Sequence, residues 1–239
     1  MKVLAIETAS RQMGVAVMKD GEPIASYELL ADFPHAVELP GAVTRVLQAA
    51  GLTLTELDAV IVDIGPGSFT GLRIGLSFVK ALVYRSKTAV VGVPSLDVLA
   101  ANLTASAIPV CPVIDAKQRN VYTVRYLPGR DGLAKDGEYR LGPPAEVIPT
   151  SKEPVLFLGD GCKVFREVIL QRCPQAQFAA PDLWLPRAAT LARLGLERLA
   201  AGQKDDPATI VPLYLYPRDC QIRGPNRPTS LLPKIPQSA

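Results

Sequence analysis

The chain has 239 residues, of which 48% are apolar, so a disordered or fibrous chain is excluded and one large domain or two small ones are possible. The formal charge of +3 equals the excess of basic over acidic residues in positions 218–239 alone, so the rest of the chain is close to neutral. A neutral body argues against a surface that follows nucleic-acid phosphates. We expect the Pro-rich basic tail 218–239 to be a flexible, solvated extension.

Cysteine and histidine are too sparse to predict a structural zinc site. His35 is the only histidine, and no two of the four cysteines form a C-x-x-C pair. Positions 1–7 carry charge too early for the core of a signal peptide, and no apolar run reaches the ~20 residues that span a bilayer. We therefore expect a cytoplasmic protein with free thiols, no metal site and no membrane contact.

The first predicted elements follow the order β-β-β-α-β-α-β-α. Asp20-Gly21 is a hairpin signal between the second and third strands, and the first three strands are predicted to form an antiparallel meander. Apolar residues at a period near 3.6 predict the first helix, and Gly51 is placed to end it. The predicted strands are 2–7, 14–19, 23–30, 57–64 and 89–93, and the predicted helices are 35–50, 68–85 and 95–103.

A second unit is predicted to start near Val110, because a strand, a polar turn and a partner strand recur there as at the start of the chain. We interpret this recurrence as an internal duplication of the fold, with a first lobe at 1–106 and a second, degenerate lobe at 107–217. Helix 188–201 is free to pack back on the first lobe. The other elements predicted in the second lobe are strands 110–114, 121–127 and 155–158, helix 164–171 and a loop over 128–144.

Residues 65–75 read Gly-Pro-Gly-Ser-Phe-Thr-Gly-Leu-Arg-Ile-Gly between a predicted strand and a predicted helix. Glycines at such a junction can form a phosphate cradle, in which backbone N–H groups and the helix N-terminus bind an anion. The spacing does not fit that function. A dinucleotide fingerprint needs glycine where Thr70 stands, a Walker loop needs Gly-Lys-Ser/Thr at 72–74, and Pro66 lacks an N–H. We favour a tight turn capped by Ser68 or Thr70, followed by a close helix contact at the two helical glycines.

Helix 68–85 has one narrow polar stripe, and its remaining positions are apolar. So wide an apolar surface needs two neighbours: the sheet of its own lobe, and a second helix from this chain or from a partner subunit. Periodicity alone does not choose between an internal core position and a subunit interface. The polar stripe comprises Arg73, Ser77, Lys80 and Tyr84.

Five segments, taken in order, resemble the TsaB (YeaZ) family. They are Ile-Glu-Thr-Ala-Ser at 6–10, His-Ala-Val-Glu-Leu-Pro at 35–40, the glycine segment at 65–75, Gly-Val-Pro-Ser-Leu at 92–96 and Ile-Asp-Ala-Lys-Gln-Arg-Asn-Val-Tyr at 114–122. The resemblance is close over the first half of the chain and looser after Leu127. It implies an α/β protein of the sugar-kinase, heat-shock-chaperone and actin superfamily (ASKHA), with two ribonuclease H-like lobes that are each a mixed sheet with flanking helices.

The resemblance also implies a role in forming threonylcarbamoyladenosine beside the tRNA anticodon. Members of the family are non-catalytic: they pair with and activate the homologous TsaD-type transferase, are joined by a TsaE-type ATPase, and form homodimers when alone. Any contact with tRNA would be made only through the complex. Pairing uses the helices that correspond to 35–50 and 68–85, so Gly75→Leu is expected to disrupt pairing and leave the monomer folded. The implied interface residues are His35, Leu39, Val43, Leu47, Phe69, Leu72, Gly75, Leu76 and Val79.

An enzyme of the same superfold is the competing interpretation, namely an ATP-dependent phosphotransferase or acyl kinase that holds Mg²⁺. Candidate Mg²⁺ ligands are Glu7, Asp63 and Asp115, although Glu7 and Asp63 are equally well explained as solvated carboxylates at strand ends. TsaD-like subunits hold a metal with H-x-x-x-H, whereas here His35 is followed by Leu39. That metal site cannot form, and a metallopeptidase is therefore less well supported still.

A residual nucleotide site between the lobes is the last possibility that the resemblance raises. In kinase-like relatives the opening turns of both lobes bind phosphate through small and hydroxyl residues, which fits Thr8 and Ser10 but not the bulky residues 117–119. Gly159 and Gly161 stand where the superfamily places an adenosine-contacting turn, and a loop that needs only positive φ explains them as well. We expect no resident cofactor.

Overall fold

The computed structural model describes residues 1–30, 35–130 and 132–216, and these residues build two five-stranded mixed sheets. The tail predicted over 218–239 lies outside the described residues. The first sheet and its helices occur in the predicted β-β-β-α-β-α-β-α order, apart from a short 3₁₀ helix at Leu54–Glu56. They are β1 (Lys2–Glu7), β2 (Gln12–Lys19), β3 (Glu22–Leu30), α1 (His35–Ala49), β4 (Ala59–Gly65), α2 (Phe69–Leu82), β5 (Ala89–Pro94) and α3 (Ser95–Ala101).

The strand order of the first sheet is β3-β2-β1-β4-β5. The first three strands form the predicted antiparallel meander, and β1, β4 and β5 run parallel. The central strand β1 is apolar on both faces, as parallel strands covered by helices usually are.

The second sheet consists of β6 (Val110–Lys117), β7 (Asn120–Gly129), β8 (Gly132–Gly142), β9 (Val155–Leu158) and β10 (Ala176–Phe178). Its strand order is β10-β9-β6-β7-β8. A short 3₁₀ helix at Pro181–Leu183 precedes the last helix. None of the helices in the described ranges combines the length and the apolar character needed to cross a membrane. The helices that follow α3 are α4 (Pro144–Val147), α5 (Gly161–Val164), α6 (Arg166–Arg172) and α7 (Ala188–Ala200).

The prediction of a loop over 128–144 is wrong, because most of this segment forms β8, which pairs antiparallel with β7. Its glycines and charged residues suggested a loop, but β8 is an edge strand and most of its side chains face solvent. Three half-buried side chains pack on the core of the second lobe and hold the strand in place. They are Leu133, Tyr139 and Leu141.

Helices cover both faces of the first sheet. Leu4 and Ile6 of β1 point to the face that α1 and α2 cover, whereas Val3 and Ala5 point to the face that packs with α7. Helix α7 follows the second sheet in the chain but lies against β1 and β2 of the first. The first lobe therefore contains segments from both ends of the described chain.

A strap, defined here as residues 205–216, follows α7 in the chain and connects the two sheets. It begins with a bridge to β5. Further along, Leu213 N donates a hydrogen bond to Ile64 O at the end of β4, at 2.7 Å. Tyr216 OH then donates to Ala116 O of the second sheet at 3.1 Å. The strap therefore ties the first lobe to the second through its backbone and one tyrosine.

Candidate functional site: a groove between two helices

The start of α2 is shaped by a serine cap and two helical glycines. Ser68 Oγ accepts a hydrogen bond from Gly71 N at 3.2 Å, so the cap is Ser68 rather than Thr70. A Cβ atom added at Gly71 would lie 2.0 Å from Thr8 O, and one added at Gly75 would lie 2.2 Å from Thr8 Oγ1. The two glycines thus let α2 approach the end of β1 within the same lobe.

This contact corrects the expectation for Gly75→Leu. The predicted close contact exists, but its partner is Thr8 of the same chain rather than a second subunit. A leucine at position 75 would therefore clash inside the first lobe and disturb the fold of the monomer. Gly75 therefore packs against Thr8 inside the protomer, and its part in a partner interface stays a prediction.

Most of the other side chains predicted for the partner interface are also buried within the protomer. Each is at most 6% exposed, so it offers a partner little side-chain surface. These side chains support the surface of α1 and α2 from below, and their part in a partner interface stays a prediction. These residues are Leu39, Val43, Leu47, Leu72, Leu76 and Val79.

Two of the predicted interface residues do reach the surface. Phe69 is 47% exposed at the first position of α2. His35 is half-buried at the first described position of α1, and its Nε2 lies 2.9 Å from Ser10 O. His35 therefore fixes the start of α1 against the turn after β1.

The open surface on this side is a shallow groove of about 650 Å³ between α1 and α2. Leu39 lies at its floor, and the polar stripe of α2 contributes Arg73 and Ser77 to its wall. The sequence did contain the signal for this surface, because a polar stripe on an otherwise apolar helix marks the face that stays in solvent. The groove is lined by Ala36, Leu39, Phe69, Thr70, Arg73, Ile74, Ser77 and Phe78.

An exposed cluster of three side chains stands at one end of the groove. The Arg73 guanidinium carbon lies 4.0 Å from the centre of the Phe69 ring, and Arg73 Nε donates a hydrogen bond to Tyr214 OH at 3.1 Å. The Phe69 and Tyr214 rings are 5.5 Å apart. Sequence reasoning missed Tyr214, because it lies 141 positions beyond Arg73 in a segment with no regular secondary structure.

The acidic residues proposed as Mg²⁺ ligands are not gathered at an open site. Glu7 and Asp63 are fully buried, so the expectation that they are solvated is wrong. Asp63 Oδ1 accepts hydrogen bonds from Gly65 N at 2.7 Å and Ser95 Oγ at 2.5 Å. Asp115 of the second sheet is paired instead with Lys117, whose Nζ lies 2.7 Å from Asp115 Oδ2.

Burial also changes the ionisation of the two buried carboxyl groups. Removal from water raises the pKa of Asp63 to about 7, against the lowering effect of its two hydrogen bonds. Removal from water likewise raises the pKa of Glu7 well above its usual range, and the nearby charge of Asp63 raises it further. Burial therefore favours the protonated form of both groups and also keeps them out of contact with solvent.

The residues proposed for nucleotide binding are engaged with their own lobes. Thr8 is buried beneath α2, and its Oγ1 has no hydrogen-bond partner among the described residues. Ser10 Oγ donates to Gln12 O at 3.0 Å. Gly159 has φ +106°, and a Cβ atom added there would lie 2.2 Å from Val113 O. Gly159 and its neighbour Gly161 therefore serve the close packing of a turn on β6.

No cluster of three or more His, Cys, Asp or Glu side chains suited to a metal ion occurs within residues 1–30, 35–130 and 132–216. Cys111, Cys162 and Cys173 are buried and unbridged. The described side chains proposed as ligands thus mostly contact other parts of the protein, and the groove between α1 and α2 is the more open surface.

Comparison with known proteins identifies the family. Residues 29–223 match the family model described as TsaD, tRNA N6-adenosine threonylcarbamoyltransferase. The Bacillus subtilis protein named tRNA threonylcarbamoyladenosine biosynthesis protein TsaB is 31% identical over 220 residues, which cover 90% of this chain and 94% of that relative. The chain belongs to the TsaB family. The Escherichia coli protein of the same name is 33% identical over 135 residues, covering 56% of this chain and 58% of that relative.

Solved structures agree with membership of the TsaB family. YeaZ from Pseudomonas aeruginosa superposes with a TM-score of 0.80 at 28% identity, covering 90% of this chain and 99% of that one. The ethanolamine utilization protein EutJ from Carboxydothermus hydrogenoformans reaches a TM-score of 0.51 at 13% identity, which shows a shared fold alone. The predicted two-lobed ASKHA fold is confirmed.

Proposed function

We propose that this chain is a non-catalytic subunit in the formation of threonylcarbamoyladenosine in tRNA, and that it pairs with and activates a TsaD-type threonylcarbamoyltransferase. In this proposal a TsaE-type ATPase joins the pair in the cytoplasm, tRNA is met only through the complex, and the free chain forms homodimers. The observation that carries the proposal is the open groove between α1 and α2 in a member of the TsaB family.

The groove has the character of a docking surface for another protein. Large apolar side chains remain exposed on both helices, with Val37 of α1 at 70% exposure and Phe69 of α2, which lines the groove, at 47% exposure. Exposed apolar surface rimmed by polar groups is typical of protein interaction sites. The second neighbour that the wide apolar surface of α2 needs would then come from the partner.

The environment of the acidic groups supports a non-catalytic role. A kinase-like site needs ionised carboxylates that can reach Mg²⁺ and nucleotide phosphates. In this chain Glu7 and Asp63 are buried with raised pKa values, and Asp115 is held by Lys117. The chemistry of the reaction is therefore assigned to the partner.

Blocking the groove tests the proposal. Ser77 is exposed on the groove wall, and Ser77→Trp would fill the space that a partner side chain needs. We expect this change to weaken binding to the TsaD-type protein of the same organism by about tenfold or more in isothermal titration calorimetry. Loss of binding should also lower the rate of tRNA modification by the reconstituted complex.

Ser26→Trp is the matched control. Ser26 is exposed on β3, where the neighbouring Ala25 and Tyr27 face α1 and Ser26 faces the opposite side of the sheet. This variant should bind like the unmodified chain. If the unmodified chain fails to bind the TsaD-type protein, the proposed function is refuted, whereas equal binding by Ser77→Trp would refute the assigned groove.

A further inference from the structure

We propose that the partner-docking surface is composite, and that the strap contributes Tyr214 to it alongside Phe69 and Arg73 of α2. This inference rests on the proposed function, and the protein that binds this surface is the TsaD-type subunit. Phe69 and Arg73 line the groove and also contact Tyr214, so the aromatic cluster continues the groove surface without a break. The strap would therefore be an interface element as well as a link between lobes.

The cluster has the composition and exposure of a binding anchor. Phe69 is 47% exposed and Tyr214 is 44% exposed, and Arg73 is exposed between them. Tyrosine and arginine are enriched among the residues that dominate binding energy at protein interfaces. An exposed aromatic pair also offers a large apolar area that a partner can remove from water.

The three side chains are held in place before any partner arrives. Arg73 is stacked on the Phe69 ring and bonded to Tyr214 OH, so its rotamer is restricted in the free chain. Restricting rotamers in advance lowers the entropy that binding must remove. The backbone beneath Tyr214 is fixed as well, because the preceding residue, Leu213, is hydrogen-bonded to Ile64 O.

Arg73 also indicates which chemistry the partner presents. Its Nε is used by Tyr214, while its two Nη groups make no hydrogen bond to any of the described residues. These outward donors suit a carboxylate, which accepts two parallel hydrogen bonds from a guanidinium. We therefore expect the TsaD-type partner to place an acidic side chain at Arg73 beside an apolar side chain that enters the groove.

Tyr214→Ala tests the composite surface in the full chain. It removes the ring and should weaken binding to the TsaD-type protein by about tenfold or more, mainly through faster dissociation. Tyr214→Phe keeps the ring and removes only the acceptor for Arg73, so a smaller loss of about two- to fivefold is expected. Val211→Ala is the control, since Val211 is 65% exposed on the same strap and should change affinity less than twofold.

The possible outcomes separate this inference from the proposed function. If the unmodified chain does not bind the TsaD-type protein, the proposed function fails. The composite surface is refuted, and the groove retained, if the unmodified chain binds, Ser77→Trp weakens this binding, and Tyr214→Ala binds as tightly as the unmodified chain. If Tyr214→Ala alters only self-association in sedimentation measurements, the occupant is a second copy and the inference is overturned. Thermal unfolding of Tyr214→Phe, which retains the packing, checks that weaker binding does not reflect unfolding.

Discussion

Asp63 and Glu7 are two buried carboxyl groups at the ends of neighbouring strands. The ordinary pKa of aspartate is about 3.9, whereas burial places that of Asp63 at about 7, and the charge of Asp97 also raises it. The folded chain therefore retains a proton that the unfolded chain releases. The resulting stabilisation is complete below about pH 4 and is lost as the pH rises to about 7. The raised pKa of Glu7 acts in the same direction.

Asp63→Asn should reduce this dependence on pH. Asparagine can still accept hydrogen bonds from Gly65 N and Ser95 Oγ but cannot ionise. We compare the free energy of unfolding of the variant with that of the unmodified chain at each pH. This difference should shift in favour of the variant between pH 5 and pH 8, by up to about 1.4 kcal/mol for each pH unit below the pKa of Asp63. Urea unfolding at the two pH values measures this difference. Equal pH dependence of the two proteins would contradict it.

Gly75 is constrained by the space beside Thr8 rather than by its backbone conformation. Alanine favours helix by about 1 kcal/mol over glycine, but the added Cβ atom would lie 2.2 Å from Thr8 Oγ1. We expect Gly75→Ala to lower the free energy of unfolding by about 1 to 3 kcal/mol in urea titrations. Adding Thr8→Ala should recover much of the loss, because it deletes the clashing oxygen, which has no partner among the described residues.

Gly41→Ala provides the control within another helix. Its added Cβ atom would lie 3.5 Å from the nearest atom, Arg45 Nη1, which is an ordinary contact. This substitution should leave stability unchanged or raise it by up to about 1 kcal/mol. A destabilisation equal to that of Gly75→Ala would show that the clash with Thr8 is not the cause.

At the scale of elements, α3 packs on the second lobe, and one of its carboxylates is bonded to two strands of that lobe. Asp97 Oδ1 accepts hydrogen bonds from Tyr126 OH of β7 and, at 2.7 Å, from Tyr139 OH of β8. Asp97→Ala would leave both hydroxyl groups without this acceptor, and we expect a loss of about 2 kcal/mol or more in the free energy of unfolding. Tyr139→Phe retains the pair with Tyr126, so its loss should be about half as large. Chemical unfolding compares the two variants, and equal losses would argue against the shared acceptor.

The elements also show how far sequence reasoning reaches. Buried strands and amphipathic helices were predicted well, because the spacing and number of their apolar residues indicate which faces are buried. Strand β8 was missed because an edge strand tolerates the charges and glycines that otherwise mark loops. The burial of Leu72, Leu76 and Val79 against their own lobe was not predicted, since periodicity indicates that a face of α2 is covered but does not indicate by what. The contact between Arg73 and Tyr214 depends on tertiary structure and leaves no local pattern.

At the scale of the whole molecule, the strap connects the proposed docking surface to the second lobe. Tyr214 belongs to the cluster at the groove, and two positions later Tyr216 contacts Ala116 and packs edge-on against the Tyr122 ring. A partner that holds Tyr214 would thereby favour one arrangement of the two lobes over others. Such a preference is the physical requirement for activation that passes between subunits.

The position of α7 has a consequence for the newly made chain. One face of the first sheet is completed only when Ala188–Ala200 is present, because Leu191 and Ala192 pack there against Val3 and Ala5. During synthesis the first strands leave the ribosome long before this helix, so that face is covered only in part, by α3, while the second lobe is being made. A ribosome that stalls before α7 would therefore release a chain with an exposed apolar sheet, prone to aggregation and a suitable substrate for chaperones.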